Sequence, residues 1–384
     1  MRFEFSTAGR IIFGPGALRE AVPAVSSMGK RALLITGASL VRAQPLLEGL
    51  EAEKVDTAIF QVEGEPTTER VSRGLEAARS HGSEVIIGIG GGSALDTAKA
   101  IAALATNPGD ILDYLEVIGR GKTIIEAPLP LIAIPTTSGT GTEVTRNAVI
   151  GSPEHKVKVS LRSPLMLPRL ALVDPELTYD LPADITASTG LDALTQLIEP
   201  FVSVKANPIA DALAREGIRC AAQALPALHR EPADRNAREK MALASLLGGM
   251  AMANTTLGGV HGFAGPLGGM FPIPHGVVCA RLLPYVMDAN LSALEERQAD
   301  SPVLGRYREI GSLLIGDEKA RAIDGVRWVG NLVDMLDIPY LNEYGVREEH
   351  FPVLVEKSAR ASSMKGNPIQ LTQEEMLGIL ERAL

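Results

Sequence analysis

EVIIGIGGGSALDTAKA, residues 84–100, joins a β-branched apolar run to a helical pattern through three consecutive glycines. The apolar run reads as a buried strand, and residues 93–105 read as a helix. Glycine between the two lets the backbone approach a phosphate closely, and the amides and dipole of the following helix N-terminus favour a dianion there. Gly91, Gly92 and Ser93 are therefore pyrophosphate candidates. The spacing departs from GxGxxG and falls in the third strand-helix unit, so a tight turn that needs glycine only for its geometry competes with this reading. A second loop, PTTSGTGTEVT (135–145), follows another apolar strand and adds hydroxyls and glycines. Two such loops at the carboxyl ends of strands in one sheet favour nucleotide binding.

Working outward, strand-like runs at 31–36, 55–62, 84–89 and 131–137 alternate with helical patterns at about 41–53, 68–81 and 93–105. That alternation implies a mostly parallel sheet covered on both faces, a Rossmann-like α/β dinucleotide-binding domain over residues 1–180. After DPELTYDLP (174–182) the texture changes to long segments rich in Ala, Leu and Met: 184–202, 208–230, 232–255, 276–291, 302–316, 319–338 and 348–360. Residues 181–384 read as an all-α domain, with the cleft between domains as the expected ligand site.

A chain of 384 residues exceeds what one core usually supports, in keeping with two domains. Its net charge of −9 lacks the basic face that nucleic acid or an anionic membrane would require. Cys220 and Cys279 are too few for a disulfide framework, the start lacks a signal-peptide pattern, and no apolar stretch is long enough to span a membrane. The expectation is a cytoplasmic, reduced protein acting on small molecules.

The first strand of the sheet runs into Thr36-Gly37-Ala38-Ser39, where an acid that binds the ribose hydroxyl of NAD would ordinarily stand. Without that carboxylate near Gly37 the reading tips toward NADP over NAD, with both open because another loop can supply the acid.

Asp192 and Gln196 are four apart in DALTQLIE, stacked on one helix face. His261 and His275 lie fourteen apart in TLGGVHGFAGPLGGMFPIPHGVVCA, each beside a glycine. A lone histidine in such a segment is more often a core or capping residue than a ligand. Two of the chain's six histidines in one segment, with an Asp on a helix that could face them, instead suit a divalent transition metal with a position open to substrate.

RIIFGPGAL (10–18), GGGSALDTAKAIA (90–102), PTTSGTGTEVT (135–145), DPELTYDLP (174–182), GLDALTQLIEPFVS (190–203) and PHGVVCARLLP (274–284) together resemble the iron-containing, group III alcohol dehydrogenases, nearly end to end. The resemblance implies a homodimer that interconverts alcohols with aldehydes or ketones, using NAD or NADP and Fe²⁺ or Zn²⁺. Asp192, His261 and His275 match metal ligands. Gly91, Gly92, Ser93, Asp96, Thr136, Thr137, Ser138 and Lys158 match the cofactor site, and Asn147 matches a position between cofactor and substrate; Gly37, at the strand end, is a further cofactor candidate, and Arg162 is a weaker candidate for the role of Lys158.

Two departures stand out. Gln196 occupies the place of a third histidine ligand; its amide oxygen is a poor donor to a borderline ion, leaving open whether it ligates at all. Gly265 replaces a second histidine, which removes a proton-relay candidate and enlarges a pocket expected to involve Phe263, Phe271 and Asn147. The proton is then expected to leave through water or the cofactor ribose. Two rival readings are a metal- and NAD-dependent lyase like the dehydroquinate synthases, which would need more cations near the ligands, and a nucleotide-binding protein with a decayed metal site.

Overall fold

A computed structural model describes residues 2–155 and 157–384. Two compact units divide it, Ser6–Asp180 and Leu181–Leu384, the latter joined by the N-terminal residues up to Phe5.

The first unit is built on a six-stranded sheet of β1 (Ile11–Phe13), β2 (Arg31–Thr36), β3 (Asp56–Gln61), β4 (Val85–Gly90), β5 (Leu131–Pro135) and β8 (Leu170–Val173), in the order β1-β8-β5-β4-β2-β3. Every neighbouring pair is parallel. Strands β4 and β5 are buried along their whole length, which is why they read as continuous apolar runs. Edge strand β3 alternates between exposed and half-buried. Helices α1 (Ala21–Met28), α2 (Gln44–Ala52), α3 (Thr68–His81), α4 (Gly92–Thr106) and the single turn α5 (Ile111–Tyr114) accompany the sheet. One apolar cluster joins Leu33 and Ile86 to Ile101 of α4, and a second joins Leu34 and Ile87 to Leu46 of α2, so the sheet is covered on both faces. An antiparallel hairpin, β6 (Asn147–Ser152) with β7 (Val157–Arg162), is an addition the sequence reading did not include. Strands β1 and β8 and helices α1 and α5 were likewise not expected.

The second unit is helical, with no strand among its described residues: α6 (Ala183–Val202), α7 (Pro208–Arg230), α8 (Arg235–Ala253), α9 (Gly259–Met270), α10 (His275–Arg297), α11 (Pro302–Ile315), α12 (Ala322–Met335), α13 (Phe351–Arg360) and α14 (Gln373–Ala383). Helix α10 is long and apolar enough to cross a membrane, yet 78% of that stretch is buried inside the chain, as befits a central core helix. It begins at His275 and runs to Arg297, longer than the expected 276–291. Helix α9 and the terminal α14 were missed by the periodicity. Residues 348–350, expected to open a helix, instead form a 3₁₀ turn before α13.

Candidate functional site

Parallel register brings the two glycine loops together. Thr36 of β2 pairs with Ile89 of β4, and Gly90 of β4 pairs with Pro135 of β5, so Gly37, Gly91 and Thr136 all leave the carboxyl edge of one sheet. The Thr136 amide donates to the Gly90 carbonyl at 3.0 Å. Gly90 has φ 158°, and a Cβ there would stand 2.7 Å from Ala94 Cβ and 3.4 Å from the Gly37 nitrogen. At Gly92 a Cβ would meet Thr140 Cγ2 at 2.9 Å, so bare backbone is what lets the loops close on each other. Gly91 caps α4 without a side-chain hydrogen bond, and the first turn of a helix leaves its N–H groups without intrahelical partners. Ser138 Oγ is buried with no hydrogen-bond partner. An unsatisfied hydroxyl beside a glycine-lined helix start fits a phosphate ester.

Three other candidates, Asp96, Lys158 and Arg162, are engaged within the fold. Asp96 is 9% exposed; its carboxylate accepts from Thr142 Oγ1 at 2.5 Å and the Val149 amide at 2.9 Å, and it pairs with Lys99 at 3.1 Å. Lys99, fully buried, also donates to Thr142, to Thr145 Oγ1 and to the Asn147 carbonyl. This polar knot ties α4 to the segment that opens β6. Lys158 of β7 sits 3.2 Å from the Glu65 carboxylate, and Arg162 sits 3.7 Å from Glu116. A cavity of about 570 Å³ in this unit is lined by Gly9, Pro130, Leu131 and Arg169, at the amino ends of the strands. Ligands of such sheets bind at the carboxyl ends, so the loops and not this cavity form the nucleotide candidate.

In the helical unit, α6 is buried almost throughout from Thr186 onward and carries Asp192, Gln196 and Glu199 at spacings of four and three, one face of the helix. Helix α10 opens against it: a Cβ on Gly276 would stand 2.7 Å from the Ser188 carbonyl oxygen, so only glycine lets His275 arrive this close. Helix α9 supplies His261. Asp192 Oδ1 lies 3.6 Å from His261 Nε2 and 3.7 Å from His275 Nε2, and the two rings are 5.4 Å apart. Asp192 is 1% exposed, and its Oδ1 has no hydrogen-bond partner.

Two residues that the sequence reading did not single out complete this cluster. Glu199 Oε2 takes a hydrogen bond from His261 Nδ1 at 2.7 Å, and its Oε1 takes one from the Val260 amide at 2.6 Å. That contact turns Nε2 toward Asp192, the carboxylate-histidine arrangement typical behind metal-ligating imidazoles. Cys279, one turn after His275 on α10, places Sγ 3.5 Å from His275 Nε2 and 3.7 Å from His261 Nε2. The donor atoms of Asp192, His261, His275 and Cys279 all lie within 4.8 Å of one another. A clue was available in each case, Glu199 at i+7 from Asp192 and Cys279 at i+4 from His275, but neither spacing distinguishes ligand from core without the facing helices.

The electrostatics favour a cation. Burial pushes the Asp192 carboxyl up, yet the charge of the nearby His275 ring, then the close approach of His261 and Gln196, prevails and holds it down at about 2. His275 is raised to about 9, by the Cys279 sulfur first and against burial, with Asp192 adding to the rise. Burial lowers His261, but Cys279, Glu199 and Asp192 outweigh it and carry the ring well above its usual range. A buried carboxylate oxygen without a donor, facing two imidazole nitrogens and a sulfur, fits a divalent transition ion in its donor chemistry.

Gln196 is 2% exposed, and its Oε1 has no hydrogen-bond partner. A Cβ at Gly265 would meet nothing within 4 Å, so space is left where the expected histidine is absent. Phe263, expected at the pocket, is wholly buried in the helical core. Phe271 is partly exposed, with its ring edge-on to His350 at 5.0 Å.

Comparison with known proteins agrees along the whole chain. Residues 8–175 match the iron-containing alcohol dehydrogenase family model, and residues 186–384 match its C-terminal model. Alcohol dehydrogenase 4 of Saccharomyces cerevisiae is 37% identical, over 97% of this chain and 96% of that protein. The crystal structure of a 1,3-propanediol oxidoreductase superposes with a TM-score of 0.92 at 34% identity, covering both chains fully. A sulfoacetaldehyde reductase from Bifidobacterium kashiwanohense, solved with NAD⁺, superposes with a TM-score of 0.87 at 30% identity over 100% of this chain and 99% of that one. These relatives favour neither the lyase nor the decayed-site reading. With its parallel dinucleotide-type sheet, its helical unit and its Asp-His-His cluster, the chain belongs to the iron-containing alcohol dehydrogenase family, metal-dependent oxidoreductases that interconvert alcohols and carbonyl compounds with a nicotinamide cofactor.

Proposed function

We propose that Asp192, His261 and His275 hold a divalent ion, Fe²⁺ or Zn²⁺, and that the chain uses it to interconvert an alcohol with an aldehyde or ketone, with NADP(H) preferred over NAD(H). The observation that carries this reading is the unpartnered, buried Asp192 Oδ1 facing two imidazole nitrogens. Left without a cation, that oxygen would bear the desolvation cost of a buried charge short of a donor.

When bound, such an ion supplies Lewis acidity, lowering the pKa of an alcohol hydroxyl and polarising a carbonyl. Everything else belongs to the chain. Glu199 holds the His261 ring with Nε2 turned toward Asp192. The Gly90 to Ser93 backbone and Ser138 Oγ offer donors to the cofactor pyrophosphate. Placement is the protein's share, and the nicotinamide carries the hydride. The NADP preference is supported by Gly37: no carboxylate stands at that strand end, and the residues after it, Ala38 and Ser39, are exposed and uncharged.

The test is a screen of short-chain aldehydes and ketones with NADPH and NADH, using chelator-stripped protein reloaded with Fe²⁺ or Zn²⁺. Oxidation of the reduced nicotinamide, followed by its absorbance and dependent on reloading, is expected. Silence of the reloaded protein across the screen with both cofactors sinks the proposal.

A further inference from the structure

We propose that Cys279 is itself a ligand of the ion, making this site an Asp-His-His-Cys centre that prefers Zn²⁺ to Fe²⁺. The inference rests on the metal-site reading above and goes beyond it by adding a donor and choosing the ion.

Four of the six donor-to-donor edges are close to those of a coordination tetrahedron, and all four donor atoms lie within 4.8 Å of one another. With bonds of about 2.3 Å to sulfur and about 2.0 Å to nitrogen and oxygen, a tetrahedral zinc site has sulfur-nitrogen edges of about 3.5 Å and nitrogen-oxygen edges of about 3.3 Å. Here the two sulfur-nitrogen separations are 3.5 and 3.7 Å, and the two oxygen-nitrogen separations are 3.6 and 3.7 Å. One sulfur within reach of both imidazole Nε2 atoms, beside the unpartnered Asp192 oxygen, is the arrangement of a shared ligand set. Cys220, the other cysteine, shows the contrast: it lies on α7 with Glu216 as a polar neighbour and joins no cluster of metal-ligating side chains among the described residues.

Local sequence sets this up. His275 and Cys279 are one turn apart on α10, so both point to the same side, and that side meets α6 through Gly276. On α6 the position one turn after Asp192 holds Gln196, a weak donor to a borderline ion. The strong fourth donor therefore comes from α10 instead. Thiolate is softer than imidazole and favours zinc over ferrous iron in a mixed nitrogen and oxygen set. Binding draws the thiol proton off to solvent, and the two anions, Asp192 and Cys279, then balance the two charges of the ion in a buried site. Substrate enters as a fifth donor, an expansion zinc tolerates.

Cobalt(II) reports the ligand without reference to activity, because a thiolate on cobalt gives an intense near-ultraviolet charge-transfer band. The wild-type chain, stripped and reloaded with cobalt, is expected to show that band. Cys220→Ser should keep it, whereas Cys279→Ser should lose it and bind zinc roughly 10- to 100-fold more weakly. In anaerobic competition between equal Zn²⁺ and Fe²⁺, wild type should retain zinc, and Cys279→Ser should shift toward iron. A wild-type cobalt spectrum with no thiolate band overturns the proposal without any variant, as does an unchanged band in Cys279→Ser. If Asp192→Ala binds cobalt as tightly as wild type, the metal-site reading itself has failed, an outcome separate from the failure of Cys279 as ligand.

Discussion

Glu199 Oε2 lies 2.7 Å from His261 Nδ1 while His261 Nε2 lies 3.6 Å from Asp192 Oδ1, so one imidazole bridges two carboxylates of the same helix face. Glu199 acts through the ring and also anchors the start of α9 through the Val260 amide. Glu199→Gln should keep one of those bonds and lose the charge that orients the ring. The expected result is metal affinity lower by roughly 10- to 100-fold with thermal stability of the apo-protein little changed, as measured by metal titration and calorimetry. Equal affinity in the variant would mean that the ring needs no such support.

Gln196 sits one helical turn beyond Asp192, buried, with an unpartnered side-chain oxygen. Gln196→His should place an imidazole on the same face and raise metal affinity by about tenfold or more. Equilibrium dialysis against a chelator of known affinity reads the change. Untouched affinity would show that the turn does not aim residue 196 at the ion.

Gly37 offers a clean test of cofactor choice, because a Cβ there meets nothing within 4 Å and the added side chain needs no repacking. Gly37→Asp should cut kcat/KM for NADPH by about 10- to 100-fold through repulsion of the ribose phosphate, and should leave or improve that for NADH. Steady-state kinetics with both cofactors decides it. A parallel loss for both would place the ribose elsewhere.

What the sequence disclosed and what it withheld follow from the same physics. Strands β2, β4 and β5 are legible because both their faces are buried and their residues are apolar but for Arg31 and Thr36 at the ends of β2. The hairpin β6-β7 is not, since its alternation is interrupted by the polar turn at Pro153, Glu154 and His155. Helix α9 carries five glycines and Pro266 in twelve residues, a composition with little intrinsic helix propensity; burial of Val260, Phe263 and Leu267 holds it. His261 could be suspected as a ligand without knowing it was on a helix. Cys279 could not, because its meaning comes from which face of α10 meets α6. The match of Asp96 to a cofactor site was read without its neighbours, and those neighbours show its carboxylate fully engaged by Thr142, Val149 and Lys99.

That engagement has a cost when broken. Asp96→Ala would leave Lys99 buried without its counter-ion, a change expected to destabilise by about 3–5 kcal/mol. Chemical denaturation should show this loss in protein free of cofactor. A variant with native stability and only weakened cofactor binding would reverse the assignment and make Asp96 a ligand contact.

Glu143, in the same loop and 2% exposed, gives the first unit a dependence on pH. Burial raises its carboxyl to about 7, with only partial relief from its own backbone amide and the Lys99 charge. Between the ordinary value of 4.5 and about 7 the folded chain keeps this proton and the unfolded chain has lost it. The unfolded state binds fewer protons there, so this group's contribution to stability falls as pH rises through that window and levels off above it. Glu143→Gln keeps the shape and removes the titration. The variant should match wild type near pH 4.5 and exceed it by on the order of 3 kcal/mol at pH 8, read as the difference between two denaturation series. If the two series ran parallel from pH 4.5 to 8, Glu143 would be as ionised when folded as when unfolded, and Lys99 would then be its partner rather than a distant relief.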